Sequence, residues 1–261
     1  MILSIIFSKG FTIERKVIIM NKTYAFSDVH GVYNLWEQIR DYCDETDTIY
    51  FLGDACDRGN DGIKIIYELL NDKRVKYLKG NHEDLLTIYV PNFIEGHFEE
   101  LSHWTINGGD TTWGVLSKIS EEEQLRLVRK LNNLPETAIY NSPNGHQVFL
   151  THAGTDLNYT ARELELRGIK YPYLWNRKHF HSTHPADLSN VYQVHGHTPV
   201  QYLSQQLGRL MPSAEVVRYC DGHKFDIDMA AFSTDKIALI DLDTFEVKYF
   251  YNMGEKEICD E

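Results

Sequence analysis

Five short segments of the sequence carry metal-binding side chains directly after apolar, strand-like runs. Aspartate, asparagine and histidine offer carboxylate, amide and imidazole donors, and the set contains no thiolate, which disfavours a closed structural zinc site. The segments are Asp28–Gly31, Gly53–Gly59, Gly80–Glu83, Thr151–Gly154 and His195–Thr198. Their donor types indicate a centre for divalent ions such as Mn²⁺, Fe or Zn²⁺.

The candidate ligands divide between two ions that share one carboxylate. Asp54 is the shared residue, because the two oxygens of a carboxylate can hold cations about 3.5–4 Å apart. The first ion is assigned Asp28, His30 and Asp54, and the second Asp54, Asn81, His152 and His197. Each residue alone could be an ordinary turn residue after a strand. The metal interpretation therefore depends on the succession of five such segments.

Strands and helices alternate where these segments occur. Apolar residues at helical spacing follow the first two strands, as at Leu35 and Ile39 and again at Ile63 and Ile66. A strand followed by a helix, repeated, predicts parallel strands whose carboxyl ends meet on one rim. Runs rich in β-branched, aromatic and leucine residues predict strands at Thr23–Ser27, Thr48–Leu52, Val75–Leu78, Val148–Leu150 and Val191–Val194.

The same segments carry groups that could act on a phosphate ester. Asp57 follows Asp54 by three residues, and His82 comes directly after Asn81. A carboxylate bonded to the His82 ring would orient the ring and favour its protonated form, so that His82 could protonate a leaving group. The guanidinium of Arg58 could bind two phosphate oxygens at once. The alternative for Asp57 and Arg58 is a surface ion pair at a helix start.

These motifs resemble the phosphoprotein phosphatase family of calcineurin-like metallophosphoesterases, most closely its compact bacterial and phage serine/threonine phosphatase branch. They read D-V-H-G, G-D-A-C-D-R-G, G-N-H-E, H-A-G and G-H-T in this chain. Two further stretches share the resemblance, W-T-I-N-G-G at Trp104–Gly109 and L-W-N-R at Leu174–Arg177. The resemblance covers residues from Tyr24 to about Leu242.

The resemblance implies both a fold and a set of roles. The fold would be α/β, a metallophosphoesterase β-sandwich of two mixed sheets flanked by helices, with a helical rim over the site. The metal ligands would be the six residues assigned above. The implied catalytic and substrate-binding residues are His82 as general acid, Asp57 as its support, Arg58 and Arg177 as phosphate clamps, and Asn81 and Asn107 at the substrate.

Three positions refine the comparison with the family pattern. The family's ligand histidine follows glycine and precedes Thr-Pro, which selects His197 and leaves His195 as a neighbour. Pro199 occupies a position where relatives outside the phosphatase branch often carry a second histidine, so it favours the phosphatase branch. The branch tends to have I-D-T-G where this chain has I-D-M-A, so Ala230 replaces a glycine that would permit a left-handed backbone.

The implied reaction is hydrolysis of phosphomonoesters with two divalent ions, foremost Mn²⁺, with Fe or Zn²⁺ as alternatives. A hydroxide that bridges the ions would attack phosphorus directly, without a phosphoenzyme. Phosphoserine and phosphothreonine proteins are the expected substrates. One alternative is a dinucleoside polyphosphate such as diadenosine tetraphosphate. The other is a catalytically silent phosphate-binding module, which predicts a missing ligand or general acid; none is missing.

The chain of 261 residues is 43% hydrophobic and has no linker rich in Gly, Ser or Pro. Residues 20–261 are therefore predicted to form a single catalytic domain. Residues 1–19 form an N-terminal extension that either adds an edge strand or precedes the natural start of translation at Met20. Ser120 and Glu123 predict the start of a rim helix. Lys236–Leu242 and Phe245–Tyr251 predict a hairpin in a second sheet.

The formal net charge of −12 disfavours a duplex nucleic-acid partner, because such binding depends on Lys and Arg contacts to phosphates. No run reaches the ~20 apolar residues of a membrane span. The four cysteines form no C-x-x-C pair, which is typical of free thiols in a reducing cytoplasm. The expected partner is a phosphorylated protein or a small phosphoester, and the oligomeric state is open.

Overall fold

Two mixed sheets of five strands each form the centre of the molecule in the computed structural model, which describes residues 21–97, 101–210 and 214–252. The first sheet has the order β10-β9-β1-β2-β3 and the second β4-β5-β6-β8-β7. The strands are β1 Thr23–Phe26, β2 Thr48–Phe51, β3 Val75–Tyr77, β4 Thr137–Asn141, β5 Gln147–Thr151, β6 Val191–His195, β7 Val217–Tyr219, β8 Lys224–Asp226, β9 Lys236–Asp241 and β10 Val247–Tyr251.

Helices connect and cover these strands. Those of the described residues are α1 Tyr33–Tyr42, α2 Gly62–Asn71, α3 Asn81–Ile94, α4 Leu101–Ile106, α5 Gly109–Leu116, α6 Glu121–Asn132, α7 Ala161–Leu166, α8 Val200–Gln206 and α9 Ala231–Thr234. The predicted cap is present, because Glu123 N–H donates to Ser120 Oγ at 3.3 Å where α6 begins. None of these helices is both long and apolar enough to cross a membrane. Residues 1–20 lie outside the described part of the chain, so the extension and the single-domain division stay predictions.

Parallel pairing gives the strands that precede the candidate ligands a common direction. β1 pairs in parallel with β2, and β2 with β3. In the other sheet, β5 pairs in parallel with β6. The five predicted strands and the α/β two-sheet class are therefore confirmed. Because each loop leaves at a carboxyl end, the ligand segments can meet at one rim.

Apolar layers lie on both faces of the first sheet. Phe26 and Phe51 pack with Trp36 of α1 on the helix-covered face. Ala25 and Leu52 point the other way and pack with apolar side chains of β5, β6 and β8. Successive residues of a strand face opposite sides, so a central strand such as β1 contributes to both layers. The second layer joins the two sheets into a sandwich.

The late hairpin forms, but the prediction that it belongs to a second sheet is wrong. β9 and β10 pair antiparallel, and β9 also pairs with β1, with Ala25 opposite Ile240. Every residue of β9 is buried. Ile237 belongs to the layer under the helices and Ile240 to the layer between the sheets. A strand buried on both faces must lie inside a covered sheet, and the open edge of β1 provides that place.

Candidate metal centre

Two groups of buried side chains that could hold metal ions share Asp54. One contains His30, Asp54 and His82, and the other contains Asp54, His152 and His197. Within each group the candidate ligand atoms lie within 4.8 Å of one another. These residues come from four loops that follow β1, β2, β5 and β6 and from the first turn of α3. The fold therefore brings five of the predicted residues together.

The two oxygens of the Asp54 carboxylate face different histidines. Oδ2 lies 3.5 Å from Nε2 of His30, and Oδ1 lies 3.4 Å from Nε2 of His152. Asp54 is 2% exposed, so little water competes for either oxygen. This is the arrangement that a carboxylate shared by two cations requires.

The rings of His30 and His152 are oriented by backbone carbonyls. Nδ1 of His30 lies 2.8 Å from the carbonyl of Cys56, and Nδ1 of His152 lies 2.8 Å from the carbonyl of Leu52. A carbonyl can only accept, so each Nδ1 carries a proton, and each Nε2 faces Asp54. Metal-binding histidines commonly have this support, so the donor set fits divalent ions.

Asn81 lies between the two histidines of the second group. Its Oδ1 is 2.8 Å from Nε2 of His152 and 2.8 Å from Nδ1 of His197. Donors about 2.1 Å from one ion and at right angles to each other would stand roughly 3 Å apart. Nε2 of His197 is buried and has no hydrogen-bond partner among the described residues. A buried atom in this state calls for a ligand or a water molecule.

Asp28 lies beside the two groups rather than within them. The N–H of His197 donates to Oδ2 of Asp28 at 3.0 Å, and the hydroxyl of Ser27 donates to the same oxygen. Burial raises the pKa of Asp28 to about 6. A buried carboxylate is costly without a counter-charge, so a nearby cation would favour its ionised form.

The histidines differ in charge. Burial holds the pKa of His30 and that of His197 well below the usual range, so both rings are neutral, the form that binds metal. Burial also disfavours charge on His152, but the Asp54 carboxylate outweighs it and raises the pKa of His152 to about 9. Binding of a metal ion at Nε2 of His152 would therefore release a proton.

His82 is held from behind by a carboxylate with several partners. Its Nδ1 lies 2.7 Å from Oδ2 of Asp57. Trp104 Nε1 donates to the same oxygen at 2.8 Å, and Thr112 Oγ1 donates to the other oxygen at 2.5 Å. Nε2 of His82 points to the opposite side, 3.2 Å from Nη2 of Arg58. The ring is thus oriented with Nε2 towards the rim, which a surface ion pair between Asp57 and Arg58 would not produce.

The W-T-I-N-G-G stretch forms the rim next to Arg58. The N–H of Arg58 donates to the carbonyl of Gly108 at 2.9 Å. Gly108 has φ +90°, and a Cβ there would lie 2.8 Å from Cγ of Arg58, so both conformation and space require glycine. Nδ2 of Asn107 donates to the His103 carbonyl at 2.7 Å. This bond serves the rim helix, and substrate binding by Asn107 stays a prediction.

Arg177 lies on the other side of the centre, next to His197. Its Nε donates to Oγ1 of Thr198 at 3.3 Å, and Nη2 donates to the carbonyl of His197 at 3.4 Å. The guanidinium is otherwise exposed. The site therefore has one exposed arginine at each metal group.

Several site residues adopt backbone conformations that side chains disfavour. Eleven described residues other than glycine have positive φ, and six of them are predicted site residues. Ala230 also adopts the left-handed region, with φ +56°, so alanine takes here the conformation that a glycine would permit. Strain of this kind concentrates at functional sites. The six are Asp28, His30, Asp54, Asp57, Arg58 and His197.

Glu83 is a site residue whose role the sequence analysis did not identify. Its Oε2 accepts from the N–H groups of Asp54 and Gly80, each at 2.8 Å. Its Oε1 accepts from the N–H of Ala55 at 2.8 Å and from the hydroxyl of Tyr77 at 2.9 Å. The available signal was a glutamate three residues after Gly80, at the third position of α3, where it can cap the helix. Glu83 ties the loop that bears Asp54 to the helix that bears His82.

A two-sheet α/β fold with this ligand set defines a metal-dependent phosphoester hydrolase. The chain belongs to the calcineurin-like phosphoesterase family, whose family model matches residues 22–230. That family depends on a dinuclear metal centre, and the groups around Asp54 are candidates to form it. The predicted family, fold and enzyme class are confirmed, whereas the preference for Mn²⁺ and the residue roles stay predictions.

Relatives with assigned activities include nucleotide hydrolases. The chain is similar to the asymmetrical bis(5'-nucleosyl)-tetraphosphatase PrpE of Halalkalibacterium halodurans, with 27% identity over 67% of this chain and 77% of the relative. Its fold is similar to a protein provisionally assigned as a diadenosine tetraphosphatase, with TM-score 0.58, 13% identity and coverage of 90% and 95% of the two chains. A protein serine/threonine phosphatase of Saccharomyces cerevisiae gives TM-score 0.56, 15% identity and 91% and 82% coverage. Both structural likenesses establish the fold alone.

Proposed function

We propose that this protein hydrolyses dinucleoside polyphosphates such as diadenosine tetraphosphate. This proposal rests on two exposed arginines. Arg58 lies beside His82 in one metal group, and Arg177 lies beside His197 in the other. Two guanidiniums on opposite sides of one centre suit a chain of several phosphates better than a single phosphate. The tetraphosphatase relative at 27% identity supports the same substrate, which replaces phosphoproteins as the first choice.

The geometry supports a proposal for the ligand roles. We propose that one ion takes Asp28, His30 and Asp54, and that the second takes Asp54, Asn81, His152 and His197. Such ions, when bound, activate water and neutralise phosphate oxygens. The carbonyls of Cys56 and Leu52 hold the His30 and His152 rings through Nδ1, so that Nε2 is the atom that would bind an ion. Mn²⁺ is our proposal for the metal, since oxygen and imidazole donors suit it.

The remaining residues orient the substrate and move a proton. We propose that Arg58 and Arg177 bind phosphate oxygens and that Asn81 and Asn107 contact the substrate. Asp57 orients the His82 ring through Nδ1, and Nε2 accepts from Arg58 in this structure. We propose that Nε2 takes up a proton once Arg58 binds phosphate and passes it to the departing oxygen.

Phosphoserine and phosphothreonine proteins are the second candidate, and the His82–Asp57 pair favours them. The alkoxide of a serine is strongly basic and needs a proton as it leaves, whereas a nucleotide phosphate is a weakly basic leaving group. The histidine held 2.7 Å from Asp57 is therefore most useful for an alkyl phosphomonoester.

Cys43, Cys56 and Cys220 are free, which supports our proposal of a reducing compartment such as the cytoplasm.

The test compares both substrates on one preparation. Protein stripped of metal and reloaded with Mn²⁺ is assayed on diadenosine tetraphosphate and on a phosphoserine peptide, and nucleotides and phosphate are quantified separately. Preferential cleavage of the dinucleotide, absent from Asp54→Asn, supports the proposal. Phosphate release from the peptide alone would replace it with the phosphoprotein candidate, and His82→Ala should then impair the peptide reaction most. No turnover of either substrate with two ions bound would refute both.

A further inference from the structure

A cavity of about 270 Å³ opens beside the second metal group. Trp175 and Arg177 form the wall nearest the centre, because the Trp175 ring lies 5.8 Å from the ring of His197 and Arg177 donates to its carbonyl. The volume is close to the lower limit of ligand pockets, roughly 300 Å³, so it suits part of a ligand. The cavity therefore lies next to the metal group that contains His197.

The cavity wall is cationic in an acidic chain. Lys170, Arg177 and Lys178 line it, and all three side chains are exposed at its surface. The chain as a whole has a formal net charge of −12. A local cluster of one sign in a concave surface concentrates ligands of the opposite sign. The cavity therefore suits a ligand that carries several negative charges.

Asn176 lies in the wall of the cavity. Its side chain is 2% exposed, and Oδ1 accepts from the N–H of Lys178 at 2.9 Å. Nδ2 is buried and has no hydrogen-bond partner among the described residues. The bond from Asn176 to Lys178 therefore holds the backbone of the cationic part of the cavity wall.

Tyr171 offers an aromatic surface at the same cavity. Its ring is 56% exposed. Its carbonyl accepts from the N–H groups of Leu174 and Trp175 at 3.2 and 3.1 Å, so a turn fixes the backbone while the ring stays open. An exposed ring on a fixed backbone is suited to stacking on a nucleobase.

We propose that this cavity binds the nucleotide on one side of the cleaved phosphate. The base stacks on Tyr171, and Lys170 and Lys178 bind the phosphates beyond the one held by Arg177. This inference rests on the proposed dinucleotide substrate and extends it by assigning the residues that distinguish a nucleotide from a simple phosphate. The volume accommodates one nucleoside, so the second nucleoside of the substrate lies outside the cavity.

The test measures binding without metal or turnover. Isothermal titration of metal-stripped protein in EDTA with ATP and with inorganic triphosphate separates the base from the phosphates. Stacking predicts tighter binding of ATP than of triphosphate, and Tyr171→Ala should weaken ATP roughly 5- to 150-fold and triphosphate little. Tyr171→Phe should retain ATP binding. Tyr202→Ala, which removes an exposed tyrosine outside the cavity, is the matched control.

A second set of variants tests the cationic residues of the cavity wall. Lys170→Gln and Lys178→Gln should weaken ATP and triphosphate alike, and more so at low salt. Equal affinities of wild type for ATP and triphosphate, or an unchanged ATP affinity in Tyr171→Ala, would overturn the inference. Competition by a phosphoserine peptide together with no effect of the base would do the same and would favour a phosphoprotein.

The two proposals fail separately. Dinucleotide hydrolysis with unchanged ATP binding in Tyr171→Ala would leave the proposed function and remove this subsite. Tyrosine-dependent ATP binding without dinucleotide hydrolysis would leave a nucleotide site and remove the proposed function.

Discussion

The carboxylate of Glu83 holds the backbone of Asp54, with Oε2 2.8 Å from the Asp54 amide nitrogen. Glu83 is fully buried, and both of its carboxylate oxygens accept hydrogen bonds. The residue shared by the two metal groups thus depends on a side chain that contacts no substrate. Such supporting residues determine how well ligand atoms are placed before an ion binds.

Glu83→Gln should impair both folding and metal binding. The change keeps the shape but replaces one accepting oxygen by an amide that faces N–H donors. We expect a loss of about 2–4 kcal/mol in the free energy of unfolding and a roughly 10- to 100-fold loss of metal affinity. Urea unfolding and metal titration measure the two effects. Glu122→Gln, on the exposed face of α6, is the control, and equal behaviour of the two variants would contradict this account.

Trp104→Phe should reduce turnover while the protein stays folded. The ring remains to pack on Tyr89 and Phe93, but the donor to Oδ2 of Asp57 is lost. Asp57 then orients His82 less well, and we expect a roughly 10-fold or greater loss of kcat with little change in KM. The pH profile of kcat should also shift. Trp113→Phe on the same rim should change neither, and an unaltered profile in Trp104→Phe would exclude a positioning role for this tryptophan.

Substitution by alanine should change stability in opposite directions at two glycines, Gly108 just before α5 and Gly114 within it. Gly108→Ala places a Cβ 2.8 Å from Cγ of Arg58 at φ +90°, so we expect a loss of about 1–3 kcal/mol and a raised KM. Gly114→Ala meets nothing within 4 Å in a helix and should gain about 0.5–1 kcal/mol. Thermal unfolding and steady-state kinetics distinguish them. A tolerated Gly108→Ala with unchanged KM would show that the rim does not position Arg58.

Lys224 should make the free energy of unfolding depend on pH in the alkaline range. It is 1% exposed, its Nζ donates to the Thr155 carbonyl at 2.7 Å, and burial lowers its pKa from 10.5 to about 8. Between these two values the unfolded chain binds more protons than the folded chain, so the contribution of Lys224 to stability rises with pH in that window. The total is at most about 3 kcal/mol.

The comparison is with Lys224→Met, because buried tyrosines and cysteines with raised pKa values also titrate in alkali. Urea unfolding at several pH values between 7 and 11 should show the wild type gaining stability relative to the variant as the pH rises. A constant difference between the two proteins across this range would mean that the folded-state pKa of Lys224 is not lowered.

The sequence was sufficient to predict the elements that end at the centre. Apolar runs followed by Asp, Asn or His mark strand ends, and parallel pairing brings those ends together, as at Asp54 and His152. The place of the late hairpin could not be predicted, because the pattern of Ile237 to Ile240 fits any covered sheet. Pairing of distant strands decides that question.

Interactions between distant residues were also beyond the sequence. His195 bonds the hydroxyl of Tyr219 at 2.7 Å, and the same hydroxyl lies 3.2 Å from Nδ1 of His179. These three residues are far apart in the chain, and no sequence motif indicates that they contact one another. The bonds of Trp104 and Thr112 to Asp57 are of the same kind. Folding alone brings such pairs together.

The number of metal ions bound per chain tests whether Asp54 is shared by two ions. Wild-type protein and Asp54→Ala, each saturated with Mn²⁺ and freed of excess ions, are measured by inductively coupled plasma mass spectrometry, with circular dichroism to verify folding. We expect two ions in the wild type and one or none in Asp54→Ala, while Glu122→Gln keeps two. A single ion in the wild type, or two ions retained without the Asp54 carboxylate, would contradict a dinuclear centre built on this residue.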